Sequence, residues 1–557
     1  MTKNKLSIIL VALFLATSAS SFACTNFLVG KKASTDGSTM ISYSADSYWL
    51  YGALYFFPRA DYKKGEKLKI YEWDTGEYRG EIDQVPHTYQ VIGNMNEHQL
   101  SIGETTFTGR KELKNDEGIM DYGSLIYVTL QRAKTAREAI KVMTDLVEKY
   151  GYYSTGESFS IADPNEIWIL ELIGKGPGIK GAVWAAIRIP DDCISAHANQ
   201  ARITKIPFKD KQNCMYSKDV VSFARSKGYF NGKDEDFSFS DTYNPLDFEG
   251  LRFCEARVWS FFRMMNPDMN KYISYINGET KERMPLYIKP AKPVSVEDVK
   301  LCMRDHYEGT PLDMTVGAGS GPFGSPFRSS PLVYKVDGKD YFHERPIATQ
   351  QTGFTFVAQM RSWQPDPIGG ILWFGVDDAS MGMYVPMYCG ISAIPKCFDE
   401  KMGNMFEFSW QSAFWVNNWV ASMVYNRYSQ LMPDLQELQK KWDNYFKTSV
   451  ATTDAEANAL YKSNPAAATA LLTKYSLKQS DDVLNDWRKL GERFMVKYLD
   501  GVTKGTDEKG NFLQNDKHIP QKVTRPGYPE WYNRKEFVQP DKDRFRVRSQ
   551  EEMDRRK

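Results

Sequence analysis

Apolar residues recur along this chain with two different periods, and the period changes from one region to the next. Runs that are almost wholly apolar predict strands buried on both faces. Asp36-Gly37 and Asp163-Pro164-Asn165 separate pairs of such runs and are typical of hairpin turns. A third pair flanks Asn96-Glu97-His98. The predicted strands cover residues 26–30, 39–44, 89–93, 100–107, 158–162, 166–173, 183–189, 193–198, 371–376 and 381–385.

Between and after the strands the period becomes helical. Thr135 to Glu138 has the sequence of a capping box, and the apolar positions behind it recur at helical spacing until Gly151. From Ser409 onward Trp415, Trp419 and Met423 stand about one turn apart, and a later alanine-rich helix is interrupted at Pro465. Strands, then helices, then strands again predict an α+β fold, in which helices cover the sheets.

The first residues predict a secretory signal rather than part of the fold. Lys3 and Lys5 precede the apolar run Leu6 to Ala16, which is too short to span a bilayer. Ser21 and Ala23 are small residues at the positions that signal peptidase requires. A lipoprotein signal is the alternative, since a cysteine follows, but Ser21 stands where that signal has an aliphatic residue. We expect an exported protein, periplasmic or extracellular.

Four segments follow from these patterns. We expect residues 1–23 to form the signal peptide, 24–400 the α+β core, 401–502 a helical C-terminal region packed on the core, and 503–557 an extended charged tail with four prolines. The formal net charge of +1, with acids and bases interspersed, disfavours nucleic acid as a partner, and no later segment predicts a membrane span. Homo-oligomer formation stays open.

Seven cysteines are present. With Cys24 set apart, the remaining six allow up to three disulfides in an exported protein, and Cys389 and Cys397 are close enough to close one loop. No Cys-x-x-Cys spacing occurs and the six histidines are scattered, so we expect no metal and no other cofactor.

Cleavage after Ala23 would make Cys24 the first residue, with a free α-amino group beside its own thiol. An α-amino group has a pKa of roughly 7.7–8.0 and a thiol one of about 8.5, so near neutral pH the amine can accept the thiol proton. The alternative is that Cys24 is one half of a disulfide.

The chain resembles the dipeptidase family of N-terminal nucleophile hydrolases over most of its length. The resemblance begins at Cys24 to Ser38 and is most specific there and at Arg304 to Pro311. It also includes Asn96-Glu97-His98, Gly103-Glu104-Thr105, Glu157-Ser158-Phe159, Trp168, Glu171, Ala196 to Ile203, Arg345-Pro346-Ile347, Trp373-Phe374-Gly375 and Tyr384-Val385-Pro386.

This resemblance implies a four-layer αββα sandwich and cleavage of dipeptides by the N-terminal cysteine. By position it implies that Asp46 orients the α-amino group and that the Asn199 amide donates to the oxyanion. It also implies that Arg257 supports the nucleophile, with a surface salt bridge as the alternative for that arginine, and that Thr106 lies at a second oxyanion position.

One departure concerns Tyr43, which stands where the wider superfamily often has an arginine beside the nucleophile and which carries no fixed charge. His197 is the best candidate for a Cys–His pair, although an N-terminal amine already supplies a base. An acid in the pocket would bind a substrate amino group, and Glu104 and Asp163 are the candidates. Two other functions stay open: an acylase of small non-peptide amides and a non-enzymatic exported binding protein.

Overall fold

The computed structural model describes residues 24–555, so the predicted signal segment 1–23 lies outside the described residues. The chain has a mixed α and β fold with two large sheets, in agreement with the predicted α+β class. The strands of these sheets are, in chain order, β1 (Asn26–Val29), β2 (Thr39–Asp46), β3 (Phe56–Phe57), β4 (Val91–Ile92), β5 (Met95–Asn96), β6 (Ser101–Thr108), β7 (Gly156–Ala162), β8 (Ile167–Gly174), β9 (Ala182–Ile189), β10 (Ile194–His197), β11 (Cys214–Tyr216), β12 (Tyr287–Ile288), β13 (Thr352–Met360), β14 (Ile371–Val376) and β15 (Val385–Tyr388).

The first sheet has seven strands in the order β12-β10-β1-β2-β13-β14-β15, and the second has eight in the order β11-β9-β8-β7-β6-β5-β4-β3. The pairings within both sheets are antiparallel. Two-stranded ribbons form between Ala60–Asp61 and His87–Thr88, Lys67–Tyr71 and Tyr78–Asp83, Val333–Val336 and Lys339–Phe342, and Thr503–Lys504 and Val523–Thr524.

The helices cover both sheets. The α-helices are α1 (Tyr122–Leu130), α2 (Ala136–Tyr150), α3 (Val220–Ser226), α4 (Phe239–Tyr243), α5 (Ala256–Met265), α6 (Ile273–Ile276), α7 (Val296–Met303), α8 (Asp366–Gly369), α9 (Ala413–Asn426), α10 (Tyr428–Tyr461), α11 (Pro465–Lys497), α12 (Glu530–Tyr532), α13 (Gln539–Asp541) and α14 (Gln550–Asp554). Short 3₁₀ turns lie at Lys111–Leu113, Asp234–Asp236, Pro267–Tyr272, Ala318–Ser320, Lys396–Phe398, Glu400–Met402, Leu499–Gly501 and Lys542–Phe545, and π turns at Gly250–Glu255 and Asn533–Val538.

The two sheets contact each other through β1 and β2 of the first sheet and β6 and β7 of the second. Helices α1 and α2 pack on the second sheet, while α5, α7, α9 and α11 pack on the first. Every residue of β2, β7 and β8 is buried, and this includes charged residues such as Asp46, Glu157 and Glu171. The N-terminal end of β1 therefore lies deep between layers, and this position decides the environment of Cys24.

The helix signals in the sequence are confirmed. The Thr135 side chain caps α2 by accepting from the Glu138 amide, and the helix ends at Gly151, whose φ of 82° suits glycine. The long helices α10 and α11 are separated just before Pro465, where Asn464 caps the second. Glu138 itself accepts from the Lys134 amide rather than from Thr135, so the predicted capping box is only half formed.

One predicted strand is misplaced, and the disulfides that the sequence left open are not formed. The strand predicted at 381–385 begins only at Val385 and continues to Tyr388, because residues 381–384 form a turn that brings the chain back to β14. The seven cysteines are free thiols, and Cys389 bonds the Asp366 carbonyl instead of Cys397. Within residues 24–555, no helix combines the length and apolar character needed to cross a lipid bilayer.

Candidate active site

Cys24 lies two residues before β1 and is only 4% exposed. Thr25 continues the pairing with β2, since its carbonyl accepts from the Ser44 amide at 3.0 Å. The strand contact fixes the backbone on the C-terminal side of Cys24. As a result the thiol is held between the two sheets rather than at a frayed terminus.

Arg257 hydrogen-bonds both to Cys24, the predicted nucleophile, and to Asn199, the predicted oxyanion donor. Its Nη1 donates to the Cys24 carbonyl oxygen at 2.6 Å and to Thr25 Oγ1 at 2.8 Å, and its Nη2 donates to Asn199 Oδ1 at 2.9 Å and to the Ala198 carbonyl at 3.2 Å. The side chain is 1% exposed. The alternative interpretation, a surface salt bridge, is therefore wrong.

Asn199 is held so that its amide nitrogen is the donating end. Because Oδ1 accepts from Arg257, the side-chain flip state is fixed, and Nδ2 donates to the Thr106 carbonyl at 2.8 Å. The residue has a φ of 60°, which asparagine tolerates better than most residues. Thr106 contributes this carbonyl to the site, while its hydroxyl donates to Glu157 at 3.1 Å.

Asp46, at the end of β2, is buried in an ion pair with Arg345. Arg345 Nη2 donates to Asp46 Oδ2 at 2.6 Å, and Thr352 Oγ1 donates to Oδ1 at 2.7 Å. Burial nevertheless raises the pKa of Asp46, with Arg345 opposing the shift. Sequence reasoning did not single out Arg345 as a site residue; its presence in a matching block was the signal that could have identified it.

A hydrogen-bonded chain runs from the thiol into the second sheet. Cys24 Sγ donates to Glu104 Oε1 at 3.4 Å and to the Tyr43 hydroxyl at 3.7 Å, and that hydroxyl donates to the same carboxylate oxygen at 2.5 Å. Glu157 lies beside Glu104, and the two carboxyl groups interact directly. Burial raises the pKa of both carboxyl groups, more strongly for Glu157, and the charge of Glu104 raises the pKa of Glu157 further.

The same surroundings keep the thiol protonated. Burial raises the pKa of Cys24 well above its usual value, and the charges of Glu104 and Asp46 raise it further. The Asp46 amide and the Tyr43 hydroxyl oppose this through hydrogen bonds. With Arg257 directed at the Cys24 carbonyl rather than at its sulfur, the thiol would need a base in order to act as a nucleophile.

Cys24 opens into a small cavity of about 30 Å³, room for one or two water molecules. Its lining residues are Cys24, Tyr43, Ala45, Asp46, Ser47, Leu50, Trp73, Asp74, Asn94, Tyr122, Gly123, Ile126, Tyr127 and Phe354. The aromatic wall and Asp74 come from the 67–83 hairpin, formed by Lys67–Tyr71 and Tyr78–Asp83, and from α1. Sequence reasoning missed both, since that hairpin is largely exposed and lacks an apolar run.

Two of the residues predicted for the site, Asp163 and His197, make structural hydrogen bonds away from the cavity. Asp163 lies at the N-terminus of α2, where it accepts from the Ala136, Asn165 and Glu166 amides, so it is not an acid of the cavity. His197 is enclosed between Thr105 and Ser160, each 2.7 Å away, and burial lowers its pKa to about 3. A Cys24–His197 pair is therefore not formed.

Comparison with known proteins places these features in a family context. A family model described as "Peptidase family C69" matches residues 23–60 and 53–441. A "Probable dipeptidase" of Latilactobacillus sakei is 26% identical over 81% of this chain and 90% of its own length. One of Salmonella dublin is 28% identical over 66% of this chain and 81% of its own length, and "Dipeptidase A" of Lactobacillus helveticus is 26% identical over 72% and 81%.

Proposed function

The chain belongs to Peptidase family C69, and from this premise we propose that it hydrolyses dipeptides with Cys24 as the nucleophile. The observation that carries the proposal is the Arg257 guanidinium, which binds the Cys24 carbonyl and the Asn199 amide together. One buried cation thus connects the sulfur-bearing residue to an oriented amide donor. The names of the similar dipeptidases support the substrate class.

The reaction begins with proton transfer. Removal of residues 1–23 frees the Cys24 α-amino group, which accepts the thiol proton directly or through one water. A base is needed because the pKa of the buried thiol is raised. Sγ then attacks the scissile carbonyl, a bond forms from sulfur to carbon, and the carbonyl oxygen takes up negative charge.

The Asn199 amide then stabilises that oxyanion. A donor of this kind is worth about 10²–10³ in kcat, since it is oriented before charge develops. The ammonium of Cys24 returns its proton to the leaving amine, which departs and leaves a thioester. Water hydrolyses the thioester, and the thiol is restored.

Asp46 positions the N-terminal amine in this proposal. It lines the same cavity as Cys24, and its carboxylate is itself fixed by Arg345 and Thr352. Tyr43 and Glu104 hold the thiol hydrogen in the resting enzyme, and Thr106 supplies a carbonyl that anchors Asn199.

We extend the proposal to the architecture and the location. Helices pack on each of the two sheets, and the two sheets contact each other. This layering supports the αββα sandwich of N-terminal nucleophile hydrolases. The division at about 400 and 502, the signal at 1–23 and export to the periplasm or the medium belong to the same proposal.

The test compares chains that differ only at the nucleophile. Protein released from a removable N-terminal fusion so that it starts at Cys24 should hydrolyse dipeptides. A chain with one extra residue before Cys24 should lose most activity, as should Cys24→Ser. Cys193→Ser is the matched control, since that buried thiol donates to Asp192 and lies outside the cavity lining. Full activity of Cys24→Ser would refute the proposal.

A panel of substrates distinguishes the remaining functions. Dipeptides compared with acylated small molecules separate a dipeptidase from an acylase. Binding of peptides without turnover by the chain that begins at Cys24 would favour the non-enzymatic binding protein.

A further inference from the structure

The cavity in front of Cys24 carries negative charge without a cation in its lining. Two of its lining residues are acids, Asp46 and Asp74, and Glu104 lies directly behind Tyr43. The rest of the wall is aromatic, aliphatic or neutral polar. Asp46 is neutralised by Arg345. For Asp74, by contrast, the cavity lining contains no arginine or lysine that would balance its charge.

Asp74 is an exposed residue in the turn of the 67–83 hairpin, and its carboxylate contacts α1 through Tyr122. Its Oδ1 accepts from the Tyr122 hydroxyl at 2.8 Å. Trp73 precedes it in the chain and stacks on Tyr127 with ring centroids 4.5 Å apart. The acid is therefore held at the rim of a space walled by aromatic rings, which favour a cation near their faces.

The neighbouring acids are already committed to backbone amides. Glu72 Oε2 accepts from the Thr75 amide and hydroxyl at 2.6 Å, and Asp121 caps α1 by accepting from Gly123 and Ser124 at 3.0 Å. These acids and Glu104 face Asp74, as does the Tyr122 hydroxyl. Burial and the charges of Glu72, Glu104 and Asp121 raise the pKa of Asp74 to about 7, while Tyr122 opposes the shift.

We propose that Asp74, positioned by Tyr122, binds the free α-ammonium group of the dipeptide and so makes the enzyme specific for substrates with an unblocked amino terminus. The inference rests on the proposed function and names its specificity residue. In a dipeptide the amino nitrogen lies only about 2.5 Å from the carbonyl carbon that sulfur attacks. The ammonium must therefore lie in the same small cavity as Cys24, which Asp74 also lines.

An acid at this position would make the enzyme prefer substrates with a free amino group, a preference that the chemistry of the Cys24 nucleophile alone does not explain. An N-acylated substrate brings no positive charge, and it would leave Asp74 desolvated and unpaired on binding. A substrate that carries an acid at this end would be repelled by Asp74. The cavity thus favours dipeptides over acylated amides.

The experiment compares alanyl-alanine with propionyl-alanine, which lacks only the amino group. The enzyme that begins at Cys24 should prefer alanyl-alanine in kcat/KM, and Asp74→Asn should reduce that preference by about 10–100-fold, the size expected of a charged hydrogen bond. Asparagine still accepts from Tyr122, so the turn is preserved. Glu81→Gln, an exposed acid on the same hairpin, is the matched control and should leave the preference unchanged.

A pH profile supplies a second readout. The carboxylate form binds the ammonium, so protonation of Asp74 should add to the fall in kcat/KM for alanyl-alanine as the pH drops through about 7. In Asp74→Asn the fall should be shallower, with only the limb of the Cys24 α-amino group remaining. Tyr122→Phe should lower the preference less than Asp74→Asn, since it removes only the positioning bond. An unchanged preference in Asp74→Asn would overturn the inference, and so would a preference lost only in Glu104→Gln. Failure of the proposed function looks different, since then neither substrate is hydrolysed.

Discussion

Replacement of Arg257 by lysine is the sharpest test of how the site is held together. Arginine donates five hydrogen bonds here, to Phe253, Cys24, Thr25, Ala198 and Asn199. Lysine keeps the charge but has a single nitrogen with three hydrogens. It therefore cannot reach at once the acceptors that the separate guanidinium nitrogens contact.

The size of the effect follows from the bonds that lysine cannot make. Two lost bonds to a charged group cost about 1.5–3 kcal/mol each. We expect the free energy of unfolding to fall by about 3 kcal/mol, the low end of the sum, because the buried charge remains. If the Asn199 amide is no longer oriented, kcat should fall by about 100-fold with KM little changed, since the oxyanion forms only after binding.

The assay measures kcat and KM on a dipeptide together with urea unfolding. Arg263→Lys is the control on the same helix, α5, where the arginine makes longer contacts with Ser260 and Asp305. It should lose little activity. In an Asn199→Ala background, Arg257→Lys should cost far less than 100-fold, because the two residues act together. A kcat within threefold of the unaltered enzyme, or losses that multiply in the double variant, would refute this reasoning.

Three further outcomes are expected. Burial raises the pKa of Glu157 above its usual 4.5, so the folded state binds this proton more tightly than the unfolded chain does. The stability that this proton contributes is fully present below pH 4.5 and is lost as the pH rises. Glu157→Gln should flatten this decline, as measured by urea unfolding across pH. Arg345→Met should destabilise the fold by about 3–5 kcal/mol by leaving Asp46 charged and unpaired, and adding Asp46→Asn should restore part of it, whereas additive losses would contradict the ion pair. Gly123→Ala should reduce activity more than stability, since a Cβ there would lie 2.4–2.8 Å from atoms of the Trp73 side chain in the cavity wall, and unchanged kcat/KM would contradict it.

The sequence predicted those parts of the molecule that local patterns determine. Strands β1 and β2 follow from their apolar runs and the turn between them, and α2 follows from its cap and period. The prediction of Cys24 as the nucleophile also rests on a local signal, since Cys24 stands directly after a cleavage motif.

The remainder depends on contacts between distant segments. Arg345 reaches Asp46 only because β13 pairs with β2, with Thr352 opposite Asp46, and no local pattern encodes that register. The 67–83 hairpin is mostly polar and exposed, so its apolar periodicity is weak and Asp74 gave no signal. For Asp163 the error has the opposite sign, since the sequence suggested a site residue where there is none. This acid was a candidate for the pocket, but it accepts from the Ala136 amide at the N-terminus of α2.

The protonated state of the Cys24 thiol has a consequence beyond the reaction. Peroxides and alkylating reagents attack the thiolate form, and they attack it in proportion to its accessibility. A sulfur that is 4% exposed and whose pKa is raised by burial is poorly reactive toward both. The Cys24 thiol should therefore resist oxidation in this state, and iodoacetamide should label it far more slowly than an exposed cysteine.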